Sequence, residues 1–387
     1  MIKAIFKLIW KRKRRSALMI TEMFVSFLLL FALFTMVVKN VSSYLAPIGF
    51  DYKNVWVMKM DIWDKGLSDE QNELTIDQLR KNISAMPDVL YLTNTTTNIP
   101  YSQSTYQTTL HYNDLKIQTN RVQSDNNFAK VLDIKLKQGR WYDETDNGQK
   151  EIPIVINQKL KEELFGNENA IGKIVHSGAY KVVGVVDHYK IKGEYSEEPS
   201  IFFSHFKPNG FEEVFLLKVN PDAGIAFEEQ LMKVVGNIAK DWTITLDPLT
   251  KYRKNLFQLT WIPILIFGGL CCFLILNIIL GLFGILWYNI NNRIAEIGLR
   301  QSVGASSRKI YLQFVGEMLI LTTLGFIPAL VVAIQFPILK VFDISFNVYL
   351  VAMLLSIIIV YMLVFIASFI PSRYATKIQP AIALHEE

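Results

Sequence analysis

Residues 261–288 read WIPILIFGGLCCFLILNIILGLFGILWY, and no charged side chain occurs between Lys254 and Arg293. A helix needs about 20 mostly apolar residues to cross a bilayer core that is about 30 Å thick. This run is longer than that requirement. It predicts a membrane-spanning helix, and the rest of the fold has to be arranged around it.

Three other stretches are also long and apolar enough to span a membrane. We place the four spans at residues 17–38, 259–288, 311–339 and 347–370. The first span contains Glu22 and the third contains Glu317 as its single charged residue, while the other two contain none.

The composition agrees with a membrane protein. The 387-residue chain is 51% hydrophobic and 19% charged, whereas typical soluble domains have about 25% charged residues. Its net charge of +5 is uneven, since residues 40–255 carry −4 and the remainder carries +9. The basic excess therefore flanks the apolar segments, which is typical of membrane proteins and not of nucleic-acid binders.

The positions of Lys and Arg predict which loops lie in the cytoplasm. The first fifteen residues contain seven basic residues and no acid, and loop 289–310 is also basic. We therefore expect both termini in the cytoplasm and residues 39–258 outside the membrane. Residues 340–346 form an external turn, and residues 371–387 form a cytoplasmic tail. Apolar residues at three- or four-residue spacing within residues 1–16 predict an amphipathic helix on the inner membrane surface.

The segment between the first two spans has the pattern of a mixed α/β domain. β-Branched or alternating segments predict strands at Val55–Met60, Leu110–Gln118, Ile152–Ile156 and Tyr180–Val186. Helical spacing predicts helices at Thr75–Met86, Gln158–Phe165 and Ala226–Ala239. The predicted fold class is an α-helical membrane protein with four transmembrane helices and a large extracytoplasmic α/β domain between helices one and two.

The motifs of common catalytic and metal sites do not occur in the sequence. It has no G-x-x-x-x-G-K-[ST] phosphate loop, no H-E-x-x-H and no G-x-S-x-G. Asp187 and His188 are adjacent, but neighbouring residues on a strand point to opposite faces, which argues against a shared metal or acid–base role. We therefore predict no catalytic, cofactor-binding or metal-binding residue. Aromatic residues of the external domain are assigned to its core: Tyr101, Tyr106, Phe128, Trp141 and Tyr142.

Two carboxylates are placed inside predicted spans at similar, shallow depth. Glu22 lies about six residues into the first span, and Glu317 about seven residues into the third. A charge at that depth costs roughly 1–3 kcal/mol unless it is paired or reaches the headgroups. Arg300, Lys309 and Arg373 are candidate partners, and the alternative is that both carboxylates extend into the headgroup layer.

The loop between the second and third spans can form a short amphipathic helix over residues 293–308, interrupted at Gly304–Ser306. Its apolar side is assigned to Ile294, Ile297, Leu299 and Val303. The residues expected to face a partner are Glu296, Arg300 and Arg308. Ser306 or Ser307 can cap the following helix, and Gly304 allows backbone freedom at the break. The alternative is a plain amphipathic connector that lies on the lipid.

Residues 292–317 read NRIAEIGLRQSVGASSRKIYLQFVGE. This segment resembles the R-x-x-E-I-G-[IL]-R-x-[AS]-[LV]-G-A-S signature of FtsX-like ABC permeases of the macrolide-exporter (MacB) and lipoprotein-release (LolCE) type. Residues 375–384, ATKIQPAIAL, resemble the family's A-x-x-x-x-P-x-x-A-L ending. Short pieces of the external segment resemble the family's MacB-like periplasmic core domain: Met86–Val89, Gly139–Asp143, Leu164–Gly166, Ile171–Lys173 and Val182–Val186.

The resemblance implies a multi-pass, non-catalytic permease of the inner (cytoplasmic) membrane, with residues 39–258 in the periplasm. A permease of this mechanotransmission type transmits ATP-driven motion to its periplasmic domain and passes no substrate through the membrane. It assigns seven residues to a loop that docks on an ATPase: Arg293, Glu296, Gly298, Arg300, Gly304, Ala305 and Ser306. In this interpretation Glu22 and Glu317 brace the cytoplasmic ends of their spans.

The resemblance also implies partners. Because the sequence lacks the ATPase domain that macrolide exporters carry in the same chain, we expect a separate ABC ATPase dimer. That partner would bind ATP and Mg, and this chain would hold no cofactor. The permease would pair with a second copy or a paralogue in the bilayer. Export of a small molecule or peptide would use a periplasmic adaptor and an outer-membrane duct, and no nucleic acid is expected.

Three alternatives to export remain at this point. A lipoprotein-releasing permease would use the same scaffold for a lipid-modified protein. A regulator of a cell-wall hydrolase usually has a much smaller external domain. A membrane-anchored receptor would need no coupling loop, so the signature at residues 293–317 argues against it.

Overall fold

The computed structural model of the chain describes residues 13–62, 68–103, 105–146, 148–205, 212–303 and 305–375. Most of the surface helix predicted at residues 1–16 and of the tail predicted at residues 371–387 lies outside these ranges. The chain forms two compact units, an external unit of residues 43–260 and a membrane unit of residues 1–42 and 261–387.

The secondary-structure elements of the described ranges are numbered here in chain order. The helices are α1 (Lys13–Leu45), α2 (Asp69–Ser84), α3 (Phe128–Val131), α4 (Gln158–Phe165), α5 (Ile225–Ile238), α6 (Leu249–Asn291), α7 (Ile294–Ser302), α8 (Ser307–Ala333), α9 (Gln335–Ile338) and α10 (Phe346–Ala375). The strands are β1 (Val55–Asp61), β2 (Val89–Thr95), β3 (Gln107–Tyr112), β4 (Leu115–Ser124), β5 (Leu136–Gly139), β6 (Ile152–Asn157), β7 (Ile174–Val175), β8 (Tyr180–Val186), β9 (Ile201–His205), β10 (Glu212–Val219) and β11 (Thr243–Pro248). Two 3₁₀ turns occur at Glu144–Asp146 and Val341–Asp343.

Four helices of the described chain, α1, α6, α8 and α10, are long and apolar enough to cross a membrane. The predicted four-span plan is therefore confirmed. All four helices extend past the predicted span limits. Helix α1 continues to Leu45, α6 begins at Leu249, α8 begins at Ser307 and α10 continues to Ala375.

Several hydroxyl groups inside these apolar helices donate to the backbone of their own helix. Thr35 donates to the backbone oxygen of Phe31 at 2.7 Å, and Ser356 donates to that of Ala352 at 2.7 Å. A polar group in hydrocarbon needs such a partner, because water is absent there. These residues can therefore be accommodated without a polar contact from a neighbouring helix.

Side chains of all four long helices form the core of the membrane unit. Helix α1 buries Met23, Phe27 and Leu30 at helical spacing. Gly325 of α8 lies so close to α1 that a Cβ added there would be 2.8 Å from the Cβ of Met23. Small residues at helix crossings permit such close approach, so α1 and α8 pack directly against each other.

The external unit is organised around an eleven-stranded sheet within the described residues. The strand order is β11-β1-β10-β2-β4-β9-β6-β8-β5, with β3 paired to β4 and β7 paired to β8. The first four strands in this order are antiparallel, whereas β4 with β9 and β6 with β8 are parallel pairs. Strands β2 and β4 share a single residue pair, Thr95 with Ser124. The sheet therefore consists of two halves with a narrow joint.

Strand β10 lies inside the first half and is buried on both faces. Phe215 and Leu217 pack with α2 and α5, while Val214 and Leu216 belong to the core on the opposite face. This alternation follows the two-residue period of a strand. In the second half, α4 packs against β6 and β8.

The predicted strand Leu110–Gln118 is wrong, because this segment contains parts of two strands. Tyr112 ends β3 and pairs with Leu115 at the start of β4. Between them, Asn113 has a φ of 52°, in the left-handed region that Asn tolerates better than most residues. The chain therefore turns back at this point. The sequence patterns also missed β2, β5, β7, β9, β10 and β11.

Helix α2 begins earlier than the predicted Thr75. The Ser68 side chain accepts a hydrogen bond from the backbone N–H of Gln71 at 3.3 Å, and the Gln71 side chain accepts one from the backbone N–H of Ser68 at 2.9 Å. This reciprocal capping box is a helix start signal that is visible in sequence.

Candidate coupling site

Helix α7 is a short amphipathic helix between α6 and α8. A tight turn joins it to α6, in which the N–H of Arg293 donates to the backbone oxygen of Ile290 at 2.9 Å. The N–H of Ile297 then donates to the backbone oxygen of Arg293 at 2.9 Å and continues the helix. Ile297 and Gly298 are buried, so one side of α7 is fixed to the membrane unit.

A buried ion pair holds the start of α7 to α8. Nη1 of Arg293 lies 3.1 Å from Oε1 of Glu317, and the two side chains are only 7% and 8% exposed. The guanidinium group also lies over the ring of Phe314, 5.9 Å from its centroid. Removal of one partner from a buried pair typically costs about 3–5 kcal/mol, because the other charge is left uncompensated. Arg293 and Glu317 therefore act as one structural unit.

The partners predicted for Glu317 were Arg300, Lys309 and Arg373, and that prediction is wrong. They were chosen by membrane depth, whereas the fold of α7 back along α8 brings Arg293 to Glu317.

Arg300 makes a second, more exposed link between the two helices. It donates to Oε1 of Glu296 at 2.5 Å and to Oε1 of Gln313 at 2.9 Å. The Arg300 and Glu296 side chains are about half exposed, and exposed pairs of this kind contribute only about 0–1 kcal/mol. Both groups stay accessible to a partner.

Leu299 and Val303 were assigned to one apolar side together with Ile297, but the structure exposes them whereas Ile297 is buried. They are 56% and 82% exposed. At about 100° per residue, their directions differ from that of Ile297 by about 160° and 120°. Helical geometry could therefore have identified Leu299 and Val303 as an apolar pair that points away from Ile297. Their residue type alone could not, because it is apolar on either side.

The remaining loop residues lie at the break between α7 and α8. Gly298 is buried and its backbone oxygen accepts a bond from Ser302 at 2.7 Å. Ala305 donates from its N–H to the backbone oxygen of Arg300 at 2.9 Å. Ser306 occupies the N-cap of α8 but makes no capping bond through its side chain, contrary to the prediction. Gly304 lies outside the described residues.

Glu22 does not join this ion pair. It is half-buried on α1, and its Oε1 would lie 3.0 Å from a Cβ added at Gly281 of α6. Among the residues with described positions, Glu22 has no ion-pair partner. The predicted pairing of intramembrane acids thus holds for Glu317 alone.

The groove between α7 and α8 is too small for a ligand. It is lined by residues that include Arg293, Arg300 and Phe314, and it encloses only about 10 Å³. That volume is at the lower limit for a single water molecule. The groove therefore offers no room for a small-molecule ligand.

Asp187 and His188 follow the end of β8, so the strand argument used for them does not apply. Asp187 pairs with Lys137 at 2.9 Å, and Nδ1 of His188 lies 2.8 Å from Oε2 of Glu198. The described part of the chain contains no group of three His, Cys, Asp or Glu residues arranged for a metal ion.

Of the five aromatic residues assigned to the core, Tyr101, Phe128 and Tyr142 are buried there, whereas Tyr106 is 61% exposed.

Two family models match this chain. The MacB-like periplasmic core domain matches residues 23–230, and the FtsX-like permease C-terminal domain matches residues 268–380. The first match alone covers more than half of the 387 residues. The chain belongs to the family of FtsX-like permeases with a MacB-like periplasmic core domain. The family and the fold class predicted from the sequence are confirmed.

Relatives of this permease are named for ABC transport. The chain is 26% identical to the uncharacterised ABC transporter permease YvrN of Bacillus subtilis, over 68% of this chain and 69% of that protein. It is 21% identical to the macrolide export ATP-binding/permease protein MacB of Bartonella quintana, over 84% of this chain and 50% of that protein. The permease thus spans about half the length of this macrolide-export relative. These names do not favour the lipoprotein-release alternative.

A solved structure aligns with about half of this permease. The periplasmic region of MacB from Actinobacillus actinomycetemcomitans aligns with 55% of this chain and 97% of that one, at 18% identity and a TM-score of 0.39. The family assignment rests on the sequence models.

Proposed function

We propose that this chain is the permease subunit of an ABC exporter and that α7 is its contact with a separate cytoplasmic ATPase. The observation that carries the proposal is the two-sided construction of α7. Its inner side is fixed by the buried Arg293–Glu317 pair, while its outer side presents Leu299 and Val303 to a partner.

This construction suits the transmission of force. A nine-residue helix is too short to be stable alone in water, so α7 depends on its attachment to α8. A partner that moves α7 would therefore also move α8, because separation of the two helices would break a buried ion pair. Apolar side chains at the centre of a contact supply affinity, and charges such as Arg300 at its rim supply orientation.

The wider assembly follows from the family. ATP and Mg would bind to the ATPase, and two permease subunits, identical or paralogous, would stand side by side in the membrane. The external domain would face the periplasm and α7 the cytoplasm. The cargo would be a small molecule or peptide, in line with the macrolide-export name of a relative, and a periplasmic adaptor and outer-membrane duct would carry it onward.

Affinity purification of the full-length chain from its native membrane in mild detergent, followed by mass spectrometry, tests this proposal. We expect a P-loop ATPase in stoichiometric amount with the wild type. Val303→Asp places a charge on the outer side of α7 without disturbing the core, and it should lose the ATPase. Charge reversal at Arg300 should weaken the same contact.

Leu115→Asp is the matched control, because Leu115 is also an exposed apolar residue (47%) but lies in the external unit. It should retain the ATPase. Retention of the ATPase by Val303→Asp would refute the role of α7. The absence of any ATPase from the wild type, even after cross-linking, would instead favour a membrane-anchored receptor.

A further inference from the structure

The external unit contains a cleft of about 830 Å³ beside the joint between the two halves of its sheet. Helix α2 and strands β2 and β10 contribute one side of its lining, and α3 with residues 143–145 contribute the other. Cavities that bind small molecules typically have volumes of about 300–1,000 Å³. The cleft is therefore large enough for a drug-sized ligand.

Glu213 is a buried carboxylate in the wall of this cleft. It precedes Phe215 and Leu217 by two and four residues on β10, so it points to the same face of the sheet, the face covered by α2. The residue is fully buried. Neither of its carboxylate oxygens makes a hydrogen bond of normal geometry to the described residues, although the Asn94 side chain lies close enough to lower its pKa. Buried carboxylates are normally paired or hydrogen-bonded, because desolvation of an unpaired charge is costly.

Asn94 adds a second unused acceptor to the same wall. It lies on β2 directly opposite Phe215 of β10, which makes it a neighbour of Glu213. It is 1% exposed, and its Oδ1 also has no partner in the described part of the chain. Three buried oxygen acceptors thus lie together, and a hydrogen-bond donor from a ligand could satisfy them.

The charge of the cleft also favours a cation. Arg80 and Lys130 are the cationic side chains of its described lining, and Arg80 already faces Asp77 at 3.5 Å. The carboxylates of the lining are Glu73, Asp77, Asp125, Asp143, Glu144 and Glu213. Because no three-ligand metal arrangement occurs in the described chain, an organic cation fits these groups better than a metal ion.

We propose that this cleft binds an organic ligand through a protonated amine, with the ammonium group donating to Glu213 and Asn94. The apolar part of the ligand would lie against Ile76, which also lines the cleft. Burial raises the pKa of Glu213 to about 7, and the Asn94 side chain and the Arg80 charge offset part of that effect. An ammonium ion would supply the missing opposite charge. The inference rests on the proposed function only where it assigns the ligand to transport, since binding itself needs no ATPase.

Binding of dansylcadaverine to the full-length chain in lipid nanodiscs tests the proposal directly. This probe joins an environment-sensitive fluorophore to a primary ammonium group, and dansylamide provides the same fluorophore without the ammonium. The titration is run at pH 8 without nucleotide, and the signal from protein-free nanodiscs is subtracted. We expect saturable binding of dansylcadaverine and little or no binding of dansylamide.

Two variants locate the site. Glu213→Gln keeps the shape of the side chain and removes its charge, and it should weaken dansylcadaverine at least about tenfold, as expected for loss of a charge-assisted hydrogen bond. Glu73 lies on the exposed surface of α2, so Glu73→Gln should not affect folding. It should weaken dansylcadaverine binding by a smaller factor than Glu213→Gln does. Glu229→Gln, an exposed residue of α5 outside the cleft, is the matched control and should bind like the wild type.

Several results would overturn the proposal. These are equal binding of the two probes, unchanged affinity in both Glu213→Gln and Glu73→Gln, or no amine-dependent binding up to about 1 mM probe. Displacement of the probe by Mg²⁺ or Ca²⁺ at similar concentrations in wild type and Glu213→Gln would also overturn it. The ATPase purification is a separate experiment. Failure of the binding test would therefore leave the proposed ATPase contact intact, and failure of the purification would leave the proposed ligand site intact.

Discussion

Replacement of Glu213 by Gln should make the external unit more stable above pH 7 and leave its stability unchanged near pH 4. The carboxylate is fully buried and has no hydrogen-bond partner among the described residues. Burial raises its pKa from 4.5 to about 7. Each tenfold change in proton affinity corresponds to about 1.4 kcal/mol, so ionisation in the folded state costs about 3 kcal/mol.

Proton linkage determines whether stability rises or falls with pH. The folded state binds the Glu213 proton more tightly than the unfolded state does, so stability is lost as the pH rises. The loss begins near pH 4.5, where the unfolded carboxyl ionises, and is complete just above pH 7. Besides burial, the groups that act on the pKa of Glu213 are the Asn94 side chain and Arg80, which favour the ionised form, and Glu73, which opposes it. His205 also lines the cleft. Gln carries no charge, so the variant should lack this pH-dependent loss.

Thermal unfolding of full-length wild type and Glu213→Gln in nanodiscs, followed by tryptophan fluorescence at pH 5 and pH 8, measures the effect. For a unit of this size, 1 kcal/mol shifts Tm by about 2–4 °C, so the variant should unfold about 6–12 °C higher at pH 8. The difference should shrink at pH 5. Glu229→Gln should show no such pH dependence. A Tm difference between Glu213→Gln and wild type that is equal at both pH values would refute the reasoning.

Three further predictions concern packing and the buried ion pair. Glu317→Gln should destabilise the membrane unit by about 3–5 kcal/mol, because Arg293 is left buried and unpaired. The double replacement Arg293→Met with Glu317→Leu should recover most of that loss in the same thermal unfolding assay. Gly325→Ala should cost about 1–3 kcal/mol, because its Cβ would lie 2.8 Å from that of Met23, and Tm measurements would detect it. Gly49→Ala should reduce the folded yield in size-exclusion chromatography, because Gly49 has a φ of +84° and a Cβ there would lie 1.8 Å from a backbone oxygen.

The membrane spans could be predicted because their signal is local. A run such as residues 261–288 excludes charge over a length that matches the bilayer, and no distant residue changes that inference. The external sheet was harder to predict. Strand β10 is buried on both faces, so residues 214–217 read VFLL without the polar–apolar alternation that identifies a half-buried strand.

The loop between α6 and α8 shows a second limit of prediction from sequence. The signature at residues 292–317 identified the segment, and the helical angle of Leu299 and Val303 was available in the sequence. The partner of Glu317 could not be identified from the sequence, because Arg293 is 24 positions away and contacts Glu317 only once α7 folds back along α8. Membrane depth restricted the candidates, but the packing of the two helices selected the pair.

Glu317 and Glu213 show why a buried acid has to be interpreted from its surroundings. Both are almost fully buried in the structure, although only Glu317 stands out in the sequence, as the single charged residue of a predicted span. Glu317 has a guanidinium group at 3.1 Å, which accounts for its charge within the fold and makes it a structural tie. The described fold brings no hydrogen-bond partner to Glu213, and a cleft opens beside it. A buried charge with a partner in the fold, such as Glu317, has a structural role. A buried charge without one, beside an open cleft, is instead the feature that supports the proposed ligand, and for this reason the cleft is the better place to test for binding.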